Sequence, residues 1–363
     1  MTRSGRRRHE PTSSRRSRWA AVACLLVLAP VCAEYLAAYD DSTGDPGALL
    51  VGLAFLIPLY GCPALLIREV ARRTGMTWIG MVAVATGFGT VQAGLVDQTI
   101  FRLTYRDLPQ WADWATPTYI EPLGLSAYLA LTFVAGHVIA SFCAPIAISE
   151  ALVPGQRTEP WLGPVALGIT AGLYLTAAGV ILDDHLRTES AAISVTQAAI
   201  TSLVVVALVV FAVTVGRAGR GSTDRWCPPA LVLFVAVGAV GVGKEYLPVT
   251  WPGVAAHAAL LAGVAGVILW FARSTSWTRL HELAVATGFV TALAVGGFMT
   301  TPLFGETQAL QKYAHNIVLA VAIGALVFIG LRRTAREDRS PREAEPDAVQ
   351  PPVARPGSRR RDR

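Results

Sequence analysis

The residues whose side chains could best take part in binding or proton transfer lie in one apolar stretch, FGTVQAGLVDQTIF (88–101). Gln92 and Asp97 stand there where apolar side chains are expected. An ionisable side chain in the middle of a bilayer costs roughly 2.5–3.5 kcal/mol on insertion scales, so it usually faces the protein interior or water. On a regular α-helix Thr90 and Asp97 share one face, whereas Gln92 points away from Asp97. Asp97 therefore has two interpretations. It belongs to a polar site, or it reaches the outer water or pairs with Arg102.

Other polar side chains occur inside or near the ends of apolar segments. His137 is near the middle of the fourth segment, where a lone histidine is either a hydrogen-bonded structural residue or part of a site. Lys244 and Glu245 are adjacent and are not expected to pair on one helix, which leaves Glu34 as a partner for Lys244. Two interpretations stay open, one polar pocket that opens outwards and a set of separate interfacial residues. The candidate ligand-binding residues are Glu34, Thr90, Gln92, Asp97, His137, Lys244, Glu245 and His257, with no catalytic or metal-binding set.

The elements that must position these residues are membrane helices. Of the 363 residues, 53% are apolar and 15% are charged, whereas a soluble domain carries about 25% charged residues. The apolar residues come in blocks long enough to cross roughly 30 Å of hydrocarbon as helices. Ten blocks, at about 19–39, 48–67, 77–101, 124–149, 161–183, 191–215, 228–247, 252–272, 278–300 and 313–331, predict an all-α, polytopic membrane helix bundle. Residues 1–18 and 332–363 are expected to be disordered segments on either side of a transmembrane domain at 19–331.

The distribution of basic residues predicts the orientation of the chain. With the N-terminus in the cytoplasm and ten spans, only Arg102, Arg106, Arg187, Lys244 and Lys312 of the 31 Lys and Arg residues fall in outer segments. Cytoplasmic loops of membrane proteins carry the excess of Lys and Arg. The sequence therefore predicts a multi-pass protein of a bacterial inner membrane with both termini in the cytoplasm. A rival interpretation, a signal peptide cleaved after Ala33, keeps the orientation of every later span.

Charge and cysteine content exclude several classes of protein. The net charge of +6 comes from clusters at the termini and in short loops, which indicates membrane orientation and not nucleic-acid binding. The five cysteines show no CxxC or Cys/His spacing, so neither a disulfide framework nor a zinc site is predicted. No phosphate-binding glycine loop occurs, and no cofactor is expected. The expected partners are the lipid bilayer and a small polar or ionic substrate.

Two stretches of the second span have a structural interpretation. In LLIREVARR (65–73), Glu69 can pair with Arg73 at i, i+4, which favours an anchor at the inner surface over a site. The stretch PLYGCP (58–63) contains two prolines and predicts a break in the helix, and such breaks sometimes line cavities. Tryptophans such as Trp161 fall near the expected ends of spans, where aromatic side chains commonly lie at the membrane interface.

Two segments indicate an internal repeat. AVATGFGT (83–90) in the third span recurs as AVATGFVT (284–291) in the ninth, with seven of eight positions identical. The tripeptide EYL ends both the first and the seventh span, and His137 has a counterpart in His315. These matches predict that spans 1–4 and 7–10 are parallel copies related by an axis along the membrane normal.

Two family resemblances are carried by short motifs. PLYGCPALLIREVARRTG followed by GLVDQTIF resembles a group of uncharacterised actinobacterial multi-span membrane proteins. A weaker resemblance is to the CAAX-processing/bacteriocin-processing (CPBP) intramembrane proteases, whose motifs are Glu-Glu-x-x-x-Arg, Phe-x-x-x-His and His-x-x-x-Asn/Asp. Phe133 and His137 match the second motif. The first motif would fall at Gln92 and Ala93, where both acids are missing, and the third has no clean match.

Three functions remain open. The first is a permease for a small molecule or an ion, with a polar pocket that opens outwards, and its test is transport into vesicles. The second is a CPBP-like membrane enzyme or its catalytically inactive relative, which an acidic pair beside His137 would favour. The third is a structural or accessory subunit whose polar residues only tie helices together, which a co-purifying partner would favour.

Overall fold

The computed structural model describes residues 12–189, 192–217, 221–303 and 307–343 as an all-α bundle. Nine of the described helices are long and apolar enough to cross a membrane. The strands within this part of the chain, Tyr119–Ile120 and Leu125–Ser126, form one short antiparallel pair in a loop. The predicted fold class, a polytopic membrane helix bundle, is confirmed.

The helices are joined by loops, of which the one at 97–126 is long, and four of the helices contain a π-helical turn. They are α1 (Thr12–Pro30, continued by the π turn Val31–Tyr35), α2 (Pro46–Thr74), α3 (Trp78–Val91, continued by the π turn Gln92–Val96), α4 (Ala127–Ala151), α5 (Pro164–Thr188), α6 (Val195–Thr214), α7 (Ala230–Gly243), α8 (Trp251–Phe271), α9 (Arg279–Met299) and α10 (Ala309–Glu343). Helix α1 thus begins before residue 19, and α10 continues beyond residue 331. The rest of the two expected terminal segments lies outside the described residues.

The shortest of the ten helices, α7, is the one that does not reach full span length. It has 14 residues and ends in the 3₁₀ turn Lys244–Tyr246. It nevertheless accompanies α9 from end to end. Before the start of α7, the Pro228 carbonyl oxygen lies 3.1 Å from His281 Nε2, and past its end the Tyr246 hydroxyl donates to the Met299 sulfur at 3.7 Å. Because α7 covers the same depth as the 21-residue helix α9, it accounts for the tenth expected span.

Small residues set the closest helix contacts. Helices α3 and α6 meet where Gly80 faces Gly216, and α7 and α9 meet where Gly238 faces Gly288. Without a side chain at these positions, the backbones of membrane helices can approach closely and gain van der Waals contact. Helix α3 is the most buried of the long helices, whereas α8 is almost entirely at the periphery. The bundle therefore has a core around α3 and α1, and the site described below is built there.

One end of the bundle, here called the arginine end, is held together by ion pairs. Arg68 and Glu150 are fully or almost fully buried, with Arg68 Nε 3.1 Å from Glu150 Oε1. Arg72 binds the same carboxylate at 2.6 Å, and Arg73 lies 3.2 Å from Glu69. The predicted Glu69–Arg73 pair is therefore confirmed, and its role as an anchor at the inner surface stays a prediction. Further pairs join Arg157 to Glu282 and Arg279 to Glu337, so that α2, α4, α9 and α10 are linked.

Trp161 belongs to this network and not to the membrane interface, which corrects the expectation from its position near a span end. Its side chain is buried, and the Arg68 guanidinium carbon lies 3.3 Å from the ring centroid. Its backbone N–H donates to Glu69 Oε1 at 2.7 Å. The stacked arginine and the backbone hydrogen bond compensate for the burial of these charges.

The predicted equivalence of spans 1–4 and 7–10 is not seen in the helix packing. The most extensive contact of α9 is with α7, a member of its own group, whereas that of α3 is with α6, outside its group. Helix α1 packs along α2, but α8 packs mainly on α4 and not on α7. The repeated AVATGF segments therefore have different neighbours, and their likeness is local to the sequence.

The π turns distinguish the first four helices from the others. Besides those that end α1 and α3, α2 contains Ile57–Gly61 and α4 contains His137–Cys143. The prediction of a break at PLYGCP is corrected by this finding, because the helix continues through the two prolines with one widened turn. Single π turns inside α-helices are rare and are frequently found at functional sites.

Candidate functional site

The π turn at the end of α3 brings Gln92 and Asp97 together. The Asp97 N–H donates to the Gln92 carbonyl at 2.8 Å, and Gln92 Nε2 donates to Asp97 Oδ1 at 3.0 Å. On an α-helix these two side chains would point in different directions, which is what the sequence periodicity predicts. In a π turn the hydrogen bond spans five residues, so that positions i and i+5 share a face. The expectation that Gln92 and Asp97 belong to different faces is therefore wrong.

A second carboxyl group comes from the π turn that ends α1. Glu34 accepts a hydrogen bond from the Tyr39 hydroxyl and another from the hydroxyl of Tyr60, which lies in the π turn of α2. Glu34 is close enough to Asp97 for the two charges to interact. The helix ends nearby turn sharply, since Ala38 and Gln98 adopt left-handed backbone conformations that L-residues rarely adopt. Three π turns thus converge on two carboxyl groups.

Tyrosines surround this pair. Asp97 lies within electrostatic reach of Tyr60, Tyr105 and Tyr174, which come from α2, the loop after α3 and α5. The Tyr105 ring stacks on Trp111 with centroids 4.5 Å apart, so the loop that follows α3 caps the bundle here. We call the whole group the carboxyl–tyrosine cluster, and its members are Glu34, Tyr39, Tyr60, Gln92, Asp97, Tyr105 and Tyr174.

His137 adjoins the cluster from the fourth π turn. Its ring stacks on Tyr60 with centroids 5.9 Å apart and on Phe142 at 6.1 Å. His137 Nδ1 lies 3.3 Å from the Ser141 hydroxyl. The side chain is buried, and α3 passes close to it, because a Cβ at Gly89 would lie 3.1 Å from the His137 Cβ. His137 is therefore joined to the carboxyl groups through Tyr60.

The two carboxyl groups have no ion-pair partner in the part of the chain that the structure describes. The nearest cation acting on Asp97 is Arg106, and its guanidinium is already paired with Asp184. Arg102, the alternative partner, donates to Gln98 at 2.8 Å. Asp97 follows the last residue of the membrane-spanning part of α3, and burial, together with the charge of Glu34, raises its pKa to about 7. Two carboxyls this close do not both ionise readily, so the pair favours a bound proton or cation.

Three of the predicted site residues lie elsewhere. Lys244, Glu245 and His257 line a separate pocket between α4, α7, α8 and α9. Lys244 is paired with Glu245 and not with Glu34, because the chain leaves the α-helix in a 3₁₀ turn at this point and the two side chains can meet. The candidate residues are therefore divided between two polar regions, which matches neither the single outward pocket nor a set of fully separate interfacial residues.

Thr90 is placed near the cluster but its hydroxyl is used by its own helix. It donates to the Thr86 carbonyl at 2.8 Å, as Thr287 does to the Leu283 carbonyl in α9. His315 also has a structural position, with Nε2 2.8 Å from the Tyr35 carbonyl oxygen. Within the described residues, no group of three or more His, Cys, Asp or Glu side chains is arranged to hold a metal ion.

The tyrosines of the cluster were missed by sequence reasoning. Aromatic residues near span ends are expected at the membrane interface, and this general rule hides the ones that turn inwards. The signal that could have identified Tyr60 is its place between Pro58 and Pro63, where the helix is irregular.

Comparison with known proteins gives the family of the chain. A family model described as an uncharacterized membrane protein family matches residues 23–342. The chain belongs to this family. The matched region contains all ten helices in large part and the whole carboxyl–tyrosine cluster. No curated protein and no solved structure matches the chain. The family match supports the predicted multi-span membrane protein, and it lends no support to the CPBP resemblance or to an actinobacterial source.

Proposed function

We propose that this member of the family is a permease, and that the carboxyl–tyrosine cluster binds a proton or a monovalent cation that moves alone or together with a small polar molecule. One observation carries the proposal. Four consecutive helices each widen into a π turn, and the turns supply Glu34, Tyr60, Gln92 and His137 to one region. Ionisable residues buried in membrane proteins commonly mark ion pathways and proton relays.

The charges of the cluster support the same proposal. A carboxylate pair without a compensating Lys or Arg is costly unless a proton or cation neutralises it. Tyrosine hydroxyls and the Gln92 carboxamide offer oxygen ligands to such a cation or hydrogen bonds to a substrate. Because Glu34 and Asp97 are half-buried and lie at the end of the bundle, an ion can reach them without crossing the core.

Flux measured in proteoliposomes tests the proposal. A pH-sensitive dye trapped inside the vesicles follows proton movement when a proton, sodium or potassium gradient is imposed. We expect the wild-type protein to accelerate the flux and Asp97→Asn to reduce it to the rate of empty vesicles. The matched control is Asp113→Asn, an exposed acid on the loop after α3. Equal fluxes through the wild type and Asp97→Asn would show that the cluster does not lie on the ion pathway.

We also place the arginine end in the cytoplasm, with both termini on that side of a bacterial inner membrane. The support is the excess of Arg at this end and the even number of crossings once α7 is counted. The carboxyl–tyrosine cluster then faces the outer side.

A membrane-embedded hydrolase is the alternative, and one contact favours it. Tyr60 touches both the Glu34 carboxyl, through its hydroxyl, and the His137 ring, through its stacked face. A carboxyl and an imidazole in one site can activate water. Cleavage of membrane-embedded peptides by wild type, lost in His137→Gln, would favour this alternative over the permease.

A further inference from the structure

The pocket that contains Lys244, Glu245 and His257 is separate from the cluster and has its own character. It is a shallow cleft between α4, α7, α8 and α9 with a cavity volume of about 60 Å³, so a ligand larger than a few atoms lies partly in the cleft and partly on the surface of the bundle. Its polar groups are concentrated at one end, and most of its wall is apolar, including Ile139, Leu261 and Phe289. A polar end and an apolar body match an amphiphilic ligand.

The position of α8 shows how such a ligand would enter. Helix α8 is the most exposed of the long helices, and its main contact with the bundle is with α4. Gly136, which lines the pocket, is exposed, so the pocket is open at the side of the bundle, where the acyl chains of a bilayer are expected. Lys244 follows the last residue of α7, at the end of the bundle opposite the arginine end, where lipid headgroups are expected. The apolar wall lies deeper, beside acyl chains.

A buried polar atom points to an occupant. His257 lines the pocket and is 6% exposed, yet its Nε2 has no hydrogen-bond partner among the described residues. A buried polar atom left unpaired destabilises the fold. A ligand group that donates to or accepts from His257 Nε2 would remove this destabilisation.

The charges at the mouth select the headgroup. Lys244 and Glu245 stand side by side and are paired with each other. A purely anionic headgroup would meet the Glu245 carboxylate, and a purely cationic one would meet the Lys244 ammonium. A headgroup with both a phosphate and an amine can satisfy the two side chains together. We propose that this pocket holds the headgroup of a zwitterionic aminophospholipid, with its phosphate at Lys244 and His257, its amine at Glu245 and one acyl chain lying along the apolar wall on the surface of the bundle.

Native mass spectrometry of the full chain tests this proposal without reference to transport. The purified protein is released from nanodiscs that contain equal amounts of phosphatidylethanolamine and phosphatidylglycerol, and the retained lipid is identified. We expect at least a several-fold preference for phosphatidylethanolamine. Equal retention of the two lipids, or retention of neither, would overturn the proposal.

Two leucine substitutions form a matched pair for the same measurement. Gly136 lines the pocket, and nothing lies within 4 Å of a Cβ built on it, so the side chain of Gly136→Leu has room to begin there and extend over the pocket. Gly266 in α8 has equally open surroundings but does not line the pocket. Both changes favour the helix. We expect about tenfold less retained phosphatidylethanolamine in Gly136→Leu than in Gly266→Leu, and equal retention would contradict the assignment of the pocket.

A charge substitution tests the headgroup. Glu245→Gln leaves Lys244 without its counter-charge, so an anionic headgroup becomes the better ligand. We expect the retained lipid to change from phosphatidylethanolamine to phosphatidylglycerol. An unchanged ratio of the two lipids would show that Glu245 does not bind the amine.

Discussion

At the scale of single residues, the decisive feature is a carboxyl group that holds its proton near neutral pH. Burial and the charge of Glu34 raise the pKa of Asp97 to about 7, from an ordinary value of 3.8. A carboxyl group whose pKa is higher in the folded protein than in the unfolded chain stabilises the fold while it is protonated. This stabilisation is complete at a pH below the pKa of the unfolded chain, and it is lost as the pH rises through the pKa of the folded protein. The protonation of Asp97 is therefore coupled to the stability of the whole cluster.

This coupling predicts the pH dependence of thermal stability. Relative to Asp97→Asn, which cannot titrate, the wild-type melting temperature in detergent should be highest near pH 4. It should fall as the pH is raised and level off above about pH 7. Melting curves of both proteins from pH 4 to 8 measure the difference. A constant difference across this range would show that Asp97 has an ordinary pKa.

Glu150 is the residue on which the arginine end depends most. It accepts from Arg72 Nε at 2.8 Å and lies 3.1 Å from Arg68 Nε, and the Arg68 side chain is fully buried. Removing one partner of a buried ion pair typically costs about 3–5 kcal/mol, because a buried charge is left uncompensated. Glu150→Gln should therefore lower the melting temperature strongly.

The matched control for this prediction is a pair on the surface of α5. Asp183 lies 2.8 Å from Arg187, and both side chains are more than half exposed. Exposed ion pairs contribute about 0–1 kcal/mol, so Asp183→Asn should change the melting temperature little. Similar losses in the two variants would mean that the Glu150 network is not needed for stability.

Single residues could be identified from the sequence only where their type alone was unusual. Asp97 and Glu34 stand out because acids are rare in apolar segments, and both belong to the cluster. Their partners could not be predicted, because the pairing of Gln92 with Asp97 requires a five-residue turn that the 3.6-residue period excludes. Tyr60 and Tyr174 lie well inside α2 and α5, where a single tyrosine gives no sequence signal that separates an ordinary core residue from a member of a site.

At the scale of elements, the π turn of α2 also sets how closely α1 can approach. A Cβ added at Gly61 would lie 2.9 Å from the Leu26 Cα and closer still to the Leu26 carbonyl oxygen. Overpacking of a tight contact typically costs about 1–3 kcal/mol. Gly61→Ala should therefore lower the melting temperature and separate α1 from α2.

The control is a glycine of the same helical type with open surroundings. Nothing lies within 4 Å of a Cβ built on Gly179 in α5. Gly179→Ala should leave the melting temperature unchanged or raise it, because alanine favours a helix by about 1 kcal/mol. If Gly61→Ala behaves like Gly179→Ala, the two helices are not packed as closely as described.

Elements were predictable where length and hydropathy decide them. The blocks of apolar residues locate all ten helices, and the i, i+4 spacing of Glu69 and Arg73 identifies the anchor on α2. Helix partners were not predictable in the same way. The AVATGF match indicated that α3 and α9 have equivalent surroundings, but partner choice follows from close contacts such as Gly80 with Gly216, which lie 136 positions apart in the chain.

At the scale of the whole molecule, the proposed orientation of the bundle rests on an even number of crossings, and surface labelling tests it. Thr104 and Thr188 are exposed at the end that carries the cluster, and Ser222 is exposed at the arginine end. Cysteines introduced by Thr104→Cys and Thr188→Cys should react with an impermeant thiol reagent on intact cells. Ser222→Cys should react only after permeabilisation, and the wild type controls for the native cysteines. Labelling of Ser222→Cys on intact cells would contradict the orientation.

The π turns determine how the site can be kept or lost among related proteins. Each holds one residue more than the α-helical turn it replaces, so the lengths of the first four spans, and not only their composition, encode the site. Loss of one residue within Gln92–Val96 would rotate Asp97 by about 100° around the helix axis and leave α3 as apolar as before. In an alignment of relatives, a one-residue gap inside a span is easily dismissed as an error. In this family such a gap would instead distinguish the proteins in which Asp97 can pair with Gln92 from those that keep the helix bundle without this pair.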